Sequence, residues 1–89
     1  MKELKLDIHA LYPNVGDVPY DYLLLVDEVE AGQFRCESYG VGVKCRSTGE
    51  SARVEDITVN AKRMETLCEL LARNQVGPTH LRDVIDDWL

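Results

Sequence analysis

Apolar and polar residues alternate from Leu4 to Tyr12, where Leu4, Leu6, Ile8, Ala10 and Tyr12 are interleaved with Lys5, Asp7, His9 and Leu11. A period of two predicts a strand with one buried face over that stretch. Pro13 to Pro19 then holds two prolines, a glycine, an asparagine and an aspartate, which predicts the one long loop of the chain. Tyr20 to Val29 reads as a second strand. Its run Tyr22-Leu23-Leu24-Leu25-Val26 has no polar face, as expected of a central strand covered at least in part on both sides. Ala31-Gly32-Gln33 predicts a tight turn and Phe34 to Arg46 a third strand. Ser47-Thr48-Gly49-Glu50 predicts a second turn, and Ala52 to Ile57 a short fourth strand.

Gly40-Val41-Gly42 interrupts the third strand and moves the apolar parity from Phe34 and Cys36 to Tyr39, Val41, Val43 and Cys45. A β-bulge or a close backbone approach would have this effect. The other reading makes Gly40-Val41 a two-residue hairpin loop, which would set Cys36 opposite Cys45. Past Ile57 the period lengthens. Met64, Leu67, Cys68 and Leu71 predict an amphipathic helix capped by Thr58 or Asn60 and ended by Asn74 to Pro78. Leu81, Val84, Ile85 and Trp88 stand at i, i+3, i+4 and i+7, so a last helix is expected from an N-cap at Thr79 to Leu89, with His80 at its first position. The expected fold is α+β, in the order β-β-β-β-α-α: a four-stranded antiparallel meander with two C-terminal helices packed on one face. A chain of 89 residues makes this a single domain, 1–89, with a modest core.

Composition adds limits. Hydrophobic residues at 45% and charged residues at 29% are ordinary for a globular chain and argue against disorder. The longest apolar run, Tyr22 to Val26, is far too short to span a bilayer. The first residues carry no export pattern, so a cytoplasmic protein without a membrane partner is expected. The net charge of −6 is uneven: residues 33–53 hold 4 basic and 2 acidic groups, while both flanks are acidic. Arg35, Lys44, Arg46 and Arg53 are too few and too scattered for a duplex-binding stripe, so nucleic acid is not an expected partner. Cys36, Cys45 and Cys68 are odd in number and lack C-x-x-C spacing, which suits reduced thiols acting as small apolar groups.

Candidate chemistry is sparse. Asp83, Asp86 and Asp87 share one surface of the last helix, where a hard cation could bind, although a solvated acidic face is the simpler expectation. Asp86 and Asp87 sit at the negative end of the helix dipole, a local cost that marks a candidate interaction surface. Its expected counterparts are the strand cations Arg35, Lys44 and Arg46, within the chain or across an oligomer. His9 and His80 are not brought near a cysteine by any motif, and Gly40-Val41-Gly42 lacks the lysine and the helix of a phosphate loop. Tyr12, Tyr20, Tyr22 and Tyr39 are expected as core and rim residues rather than a stacking platform. No catalytic residue, cofactor or metal ligand is assigned.

Val54-Glu55-Asp56-Ile57, the helix Lys62-Arg63-Met64-Glu65-Thr66-Leu67 and the segment from Asn74 to Asp87 resemble a family of small bacterial proteins classed as a domain of unknown function. The resemblance covers about the last fifty residues and is most specific at Pro78, His80, Leu81 and Asp83, in a P-x-H-L-x-D-V-I-x-D segment. The first thirty residues carry no matching pattern. The resemblance implies a compact bacterial cytoplasmic protein and supplies no activity. Two functions are therefore expected in order: a non-enzymatic protein-interaction or regulatory module that self-associates through its sheet, and, second, a small metal-binding protein or enzyme using the acidic helix face.

Overall fold

Among residues 2–89, which a computed structural model describes (Ala31 by its backbone alone), the elements run β1 (Lys2–Lys5), α1 (Ile8–Leu11), β2 (Tyr20–Ala31), β3 (Phe34–Cys45), β4 (Ser51–Thr58), α2 (Ala61–Arg73) and α3 (Leu81–Trp88). The strands form one antiparallel sheet in the order β1-β2-β3-β4, the expected meander. Tyr22, Val41 and Val43 point from the sheet into a core completed by Met64, Leu67 and Leu71 of α2 and Leu81 and Ile85 of α3. No helix among the described residues is long and apolar enough to cross a membrane.

The N-terminal stretch departs from its alternation. The strand ends at Lys5, and Ile8–Leu11 forms one helical turn capped by Asp7, whose side chain accepts from the Ala10 amide at 3.3 Å. Ile8, Leu11 and Tyr12 are also spaced i, i+3, i+4, so the same residues fit a helical stripe, and the Asp7 cap decides between the periods. Only Ile8 of the turn is buried, and Leu4 of the strand is 49% exposed.

The irregularity at Gly40 is real, but the extra residues lie in β4. β3 stays in unbroken register with β2 from Ala31↔Phe34 to Tyr20↔Cys45, which rules out a hairpin at Gly40-Val41 and places Cys36 opposite Val29. On the other side the pairs step from Val41↔Val54 to Tyr39↔Thr58, so Gly40 alone faces residues 55–57. Asp56 adopts φ 53° inside that bulge. A Cβ on Gly40 would stand 2.4 Å from the Val54 carbonyl oxygen and 2.8 Å from Glu55 Cα, so this position tolerates no side chain.

Asn60 caps α2, accepting from the Lys62 and Arg63 amides at 3.0 and 3.1 Å. Thr79 is not the cap of α3. Residues 78–80 make a turn closed by the His80 amide on the Gly77 carbonyl at 3.2 Å, and His80 precedes the helix without a side-chain cap. The helix starts at Leu81 because proline at 78 favours a turn before helical geometry is reached. Trp88 is half-buried against the core, with the Arg63 guanidinium 4.6 Å from its ring centroid.

One buried polar group ties the sheet to the helices. The Tyr22 hydroxyl, 1% exposed as a residue, lies 3.1 Å from the Leu71 carbonyl and 2.9 Å from that of Val76. Leu71 also accepts from the Val76 amide at 3.0 Å, so removing the hydroxyl costs the Val76 carbonyl most. Tyr22→Phe is expected to lower stability by about 1–3 kcal/mol, read from the midpoint of urea unfolding.

Candidate functional site

β2 and β3 outrun their neighbours. Among the described residues β1 pairs with Leu23–Val26, and the last β4 pair is Tyr39↔Thr58, so Asp27–Ala31 and Phe34–Ser38 continue as a two-stranded arm. Five residues per strand extend it by about 17 Å, and the molecule measures 43 × 25 × 24 Å. Gly32, at φ 64°, occupies the first central position of its two-residue loop, where glycine suits the twist of a tight hairpin. The arm carries Phe34, 74% exposed, and Val29, 42% exposed, with Cys36 exposed opposite Val29. An isolated two-stranded ribbon is marginal in water, and this one is held at its base by the four-stranded sheet that it extends.

Charge on the other face of the arm is paired unevenly. Arg35 meets Glu30 at 3.3 Å and Glu28 at 3.9 Å, whereas Glu37 stands directly across from Glu28, and among the described residues it joins no ion pair. Like charges directly opposite on a sheet are destabilising.

Concavities flank the sheet. A polar cleft of about 360 Å³ is lined by Lys5, Asp7, His9, Tyr20, Asp21 and Arg46 among others. Its cations are already engaged, since Lys5 and Arg46 both lie 3.8 Å from Asp21. Arg46 also donates to the Val18 carbonyl, its amide donates to the Pro19 carbonyl at 3.3 Å, and Val15 and Val18 are buried. The loop from Pro13 to Pro19 is thus a clamped connection. A second concavity, about 620 Å³, lies between the inner sheet face and α2 and is lined by Leu6, Leu11, Tyr12, Leu24, Tyr39 and Cys68 among others.

Burial pushes the Cys68 thiol from 9.0 to about 11, with Glu65 adding to the shift, and burial raises Tyr12 from 10.0 to about 12, helped by Cys68, Glu69 and Glu65. Burial raises Tyr22 as well, with Tyr20 contributing. In all three the folded chain holds its proton more tightly than the unfolded one. Their contribution to stability is complete below the unfolded values and is lost as pH rises. Stability is therefore expected to fall from about pH 9 upward through Cys68 and from about pH 10 through the tyrosines, at up to about 1.4 kcal/mol per pH unit for Cys68 and Tyr22 and by less for the more solvent-screened Tyr12, measured by urea unfolding across the alkaline range.

Cys45 behaves in the opposite way. Hydrogen bonds from the Ser47 side chain, 3.3 Å away, and from Thr48 and the local backbone bring its thiol from 9.0 down to about 7. At neutral pH, iodoacetamide is expected to label Cys45 at least about a hundredfold faster than buried Cys68, followed by peptide mass spectrometry.

The acidic residues Asp83, Asp86 and Asp87 are exposed on α3, and among the described residues none is ion-paired. The strand cations find other carboxylates: Arg35 pairs on the arm, Arg46 with Asp21, and Arg53 with Glu3 at 2.8 Å and Glu55 at 3.4 Å, while Lys44 is exposed. Among the described residues the α3 acids pair with none of these cations inside the chain, and Arg35, Arg46 and Arg53 meet carboxylates of the sheet instead. Among the described residues no three His, Cys, Asp or Glu side chains converge in a way that would hold a metal ion. The arm is the feature that sequence reading missed. Its sign was the opposite apolar parity of Phe34 and Cys36, which marks side chains on the face away from the helices.

No curated protein and no solved structure matches this chain. A family model does, and its match runs across β1, the clamped loop, the arm and the C-terminal helices: the chain belongs to the family of unknown function DUF6514, matched over residues 2–89.

Proposed function

We propose that this chain is a non-enzymatic protein-interaction module that acts through the β2–β3 arm. The observation that carries this reading is a ribbon whose two edges are unpaired among the described residues, bearing Phe34 at 74% exposure beside Val29 and Cys36. Surface of this kind gains free energy when a partner covers it. The partner is a protein rather than nucleic acid or a membrane: the net charge is −6, and Arg35, Arg46 and Arg53 are engaged by carboxylates. Three free cysteines suit the reducing cytoplasm, and the bacterial setting rests on the sequence resemblance.

The test is affinity capture from the host with the native chain beside a variant carrying Val29→Thr and Phe34→Lys, both at exposed positions. A stoichiometric protein retained by the native chain and lost by the variant supports the reading. Equal recovery from both overturns the arm as the site.

A further inference from the structure

The two open edges of the arm differ in what they can pair with. The Cys45 amide donates to the Glu50 carbonyl at 2.8 Å, so odd-numbered β3 residues direct their backbone N–H and C=O toward the β4 side. The unbroken β2–β3 register carries that alternation to Arg35 and Glu37, where β4 has already ended. On the far edge the Leu6 amide donates to the Tyr22 carbonyl at 2.9 Å, so even-numbered β2 residues, Glu28 and Glu30 in the arm, offer their backbone groups outward.

An antiparallel ladder aligns outward residues with outward residues. For β3 against itself this leaves registers centred on Arg35, Cys36 or Glu37. The first sets Arg35 against Arg35 and the third Glu37 against Glu37. The register centred on Cys36 alone sets Arg35 against Glu37 twice over. For β2 against itself, centres at Glu28, Val29 and Glu30 all bring glutamates together. Charge therefore rejects the β2 edge in every register and accepts one register of the β3 edge.

We propose that Phe34–Ser38 of β3 pairs antiparallel with the same segment of a second copy of this chain, about a two-fold axis at Cys36. This rests on the interaction reading above and names its partner. The pairing joins two ribbons into a four-stranded sheet. It gives Glu37, which now faces only Glu28, a cation from the second copy, and it makes Val29 and Cys36 of both copies one continuous apolar row. Cys36 meets its counterpart in a non-hydrogen-bonded pair, at a Cα separation of about 4.5 Å, within the span a disulfide bridges.

The test uses the full chain carrying Cys45→Ser, which leaves Cys36 as the exposed thiol. Sedimentation in reducing buffer is expected to show a concentration-dependent dimer. Diamide, which takes up the two electrons and two protons of a thiol pair, is expected to link the copies through Cys36 alone. Glu37→Arg improves the pairing with Glu28 inside the chain, so it should fold at least as well, yet it sets like charges across the dimer. Its dimer dissociation constant is expected to rise at least about tenfold, and adding Arg35→Glu to it should restore the original value to within about threefold. A dimer indifferent to Glu37→Arg, a cross-link elsewhere, or a monomer at every concentration overturns the edge pairing. Capture of a different protein through Val29 and Phe34 is read separately, so the loss of one reading is distinguished from the loss of the other.

Discussion

Gly40→Ala is expected to destabilise the chain by about 3 kcal/mol. The added methyl would meet the Val54 carbonyl oxygen at 2.4 Å and Glu55 Cα at 2.8 Å, and both are backbone atoms of the β4 bulge. A side chain could rotate away from such a contact, but this segment is fixed by Tyr39↔Thr58 on one side and Val41↔Val54 on the other. Relief requires β4 to separate from β3, which loosens the partly buried Val54 and Ile57 from the core. Small domains have only about 5–15 kcal/mol in hand, so a large share of stability is at stake. In a chain of this size the melting temperature should fall by roughly 12–24 °C. Gly16→Ala, where a methyl meets nothing within 4 Å, is the control and should stay within about 0.5 kcal/mol of the native chain. A Gly40→Ala protein as stable as the control would refute the close approach.

Leu67→Ala is expected to cost about 3–4 kcal/mol. Leu67 is wholly buried in the middle of the α2 stripe, between Met64 and Leu71, and packs in the same cluster as Tyr22, Val41 and Ile85. Sheet and helices both abut the cavity left behind, so neither layer is free to collapse into it. Alanine's better helix propensity returns only tenths of a kcal/mol. The measurement is the urea midpoint at constant slope, with Phe34→Ala as comparison. Phe34 is a larger side chain, but at 74% exposure its loss should change monomer stability by no more than about 0.5 kcal/mol. A large stability loss from Phe34→Ala would mean that the arm packs on its own molecule and is not a free surface.

The periodic segments were legible because their side chains report one environment each. Met64, Leu67, Cys68 and Leu71 announced α2, and Leu81, Val84, Ile85 and Trp88 announced α3, within two residues at either end. Tyr22 to Val26 announced a central strand. Leu4 to Tyr12 misled because its apolar residues satisfy a period of two and, from Ile8, a helical spacing as well. The choice fell to Asp7, whose cap on Ala10 stabilises the turn. Asp83, Asp86 and Asp87 are exposed on α3, as their helical spacing implies, but which carboxylate each strand cation meets depends on distances across the sheet.

By itself the sequence determined the α+β class, the meander order, the two amphipathic helices and the irregularity at Gly40, since each follows from local spacing and from where glycine and proline fall. Tertiary structure alone decided that the bulge belongs to β4, that β1 and β4 stop short of the β2–β3 arm, and that Arg35 and Glu37 lie on an open edge. Strand length is written locally, but how far a neighbour accompanies a strand depends on where that neighbour's chain must turn. Thr58 must give way to Asn60 and α2, and Lys5 to Asp7 and α1, before either partner strand reaches the arm.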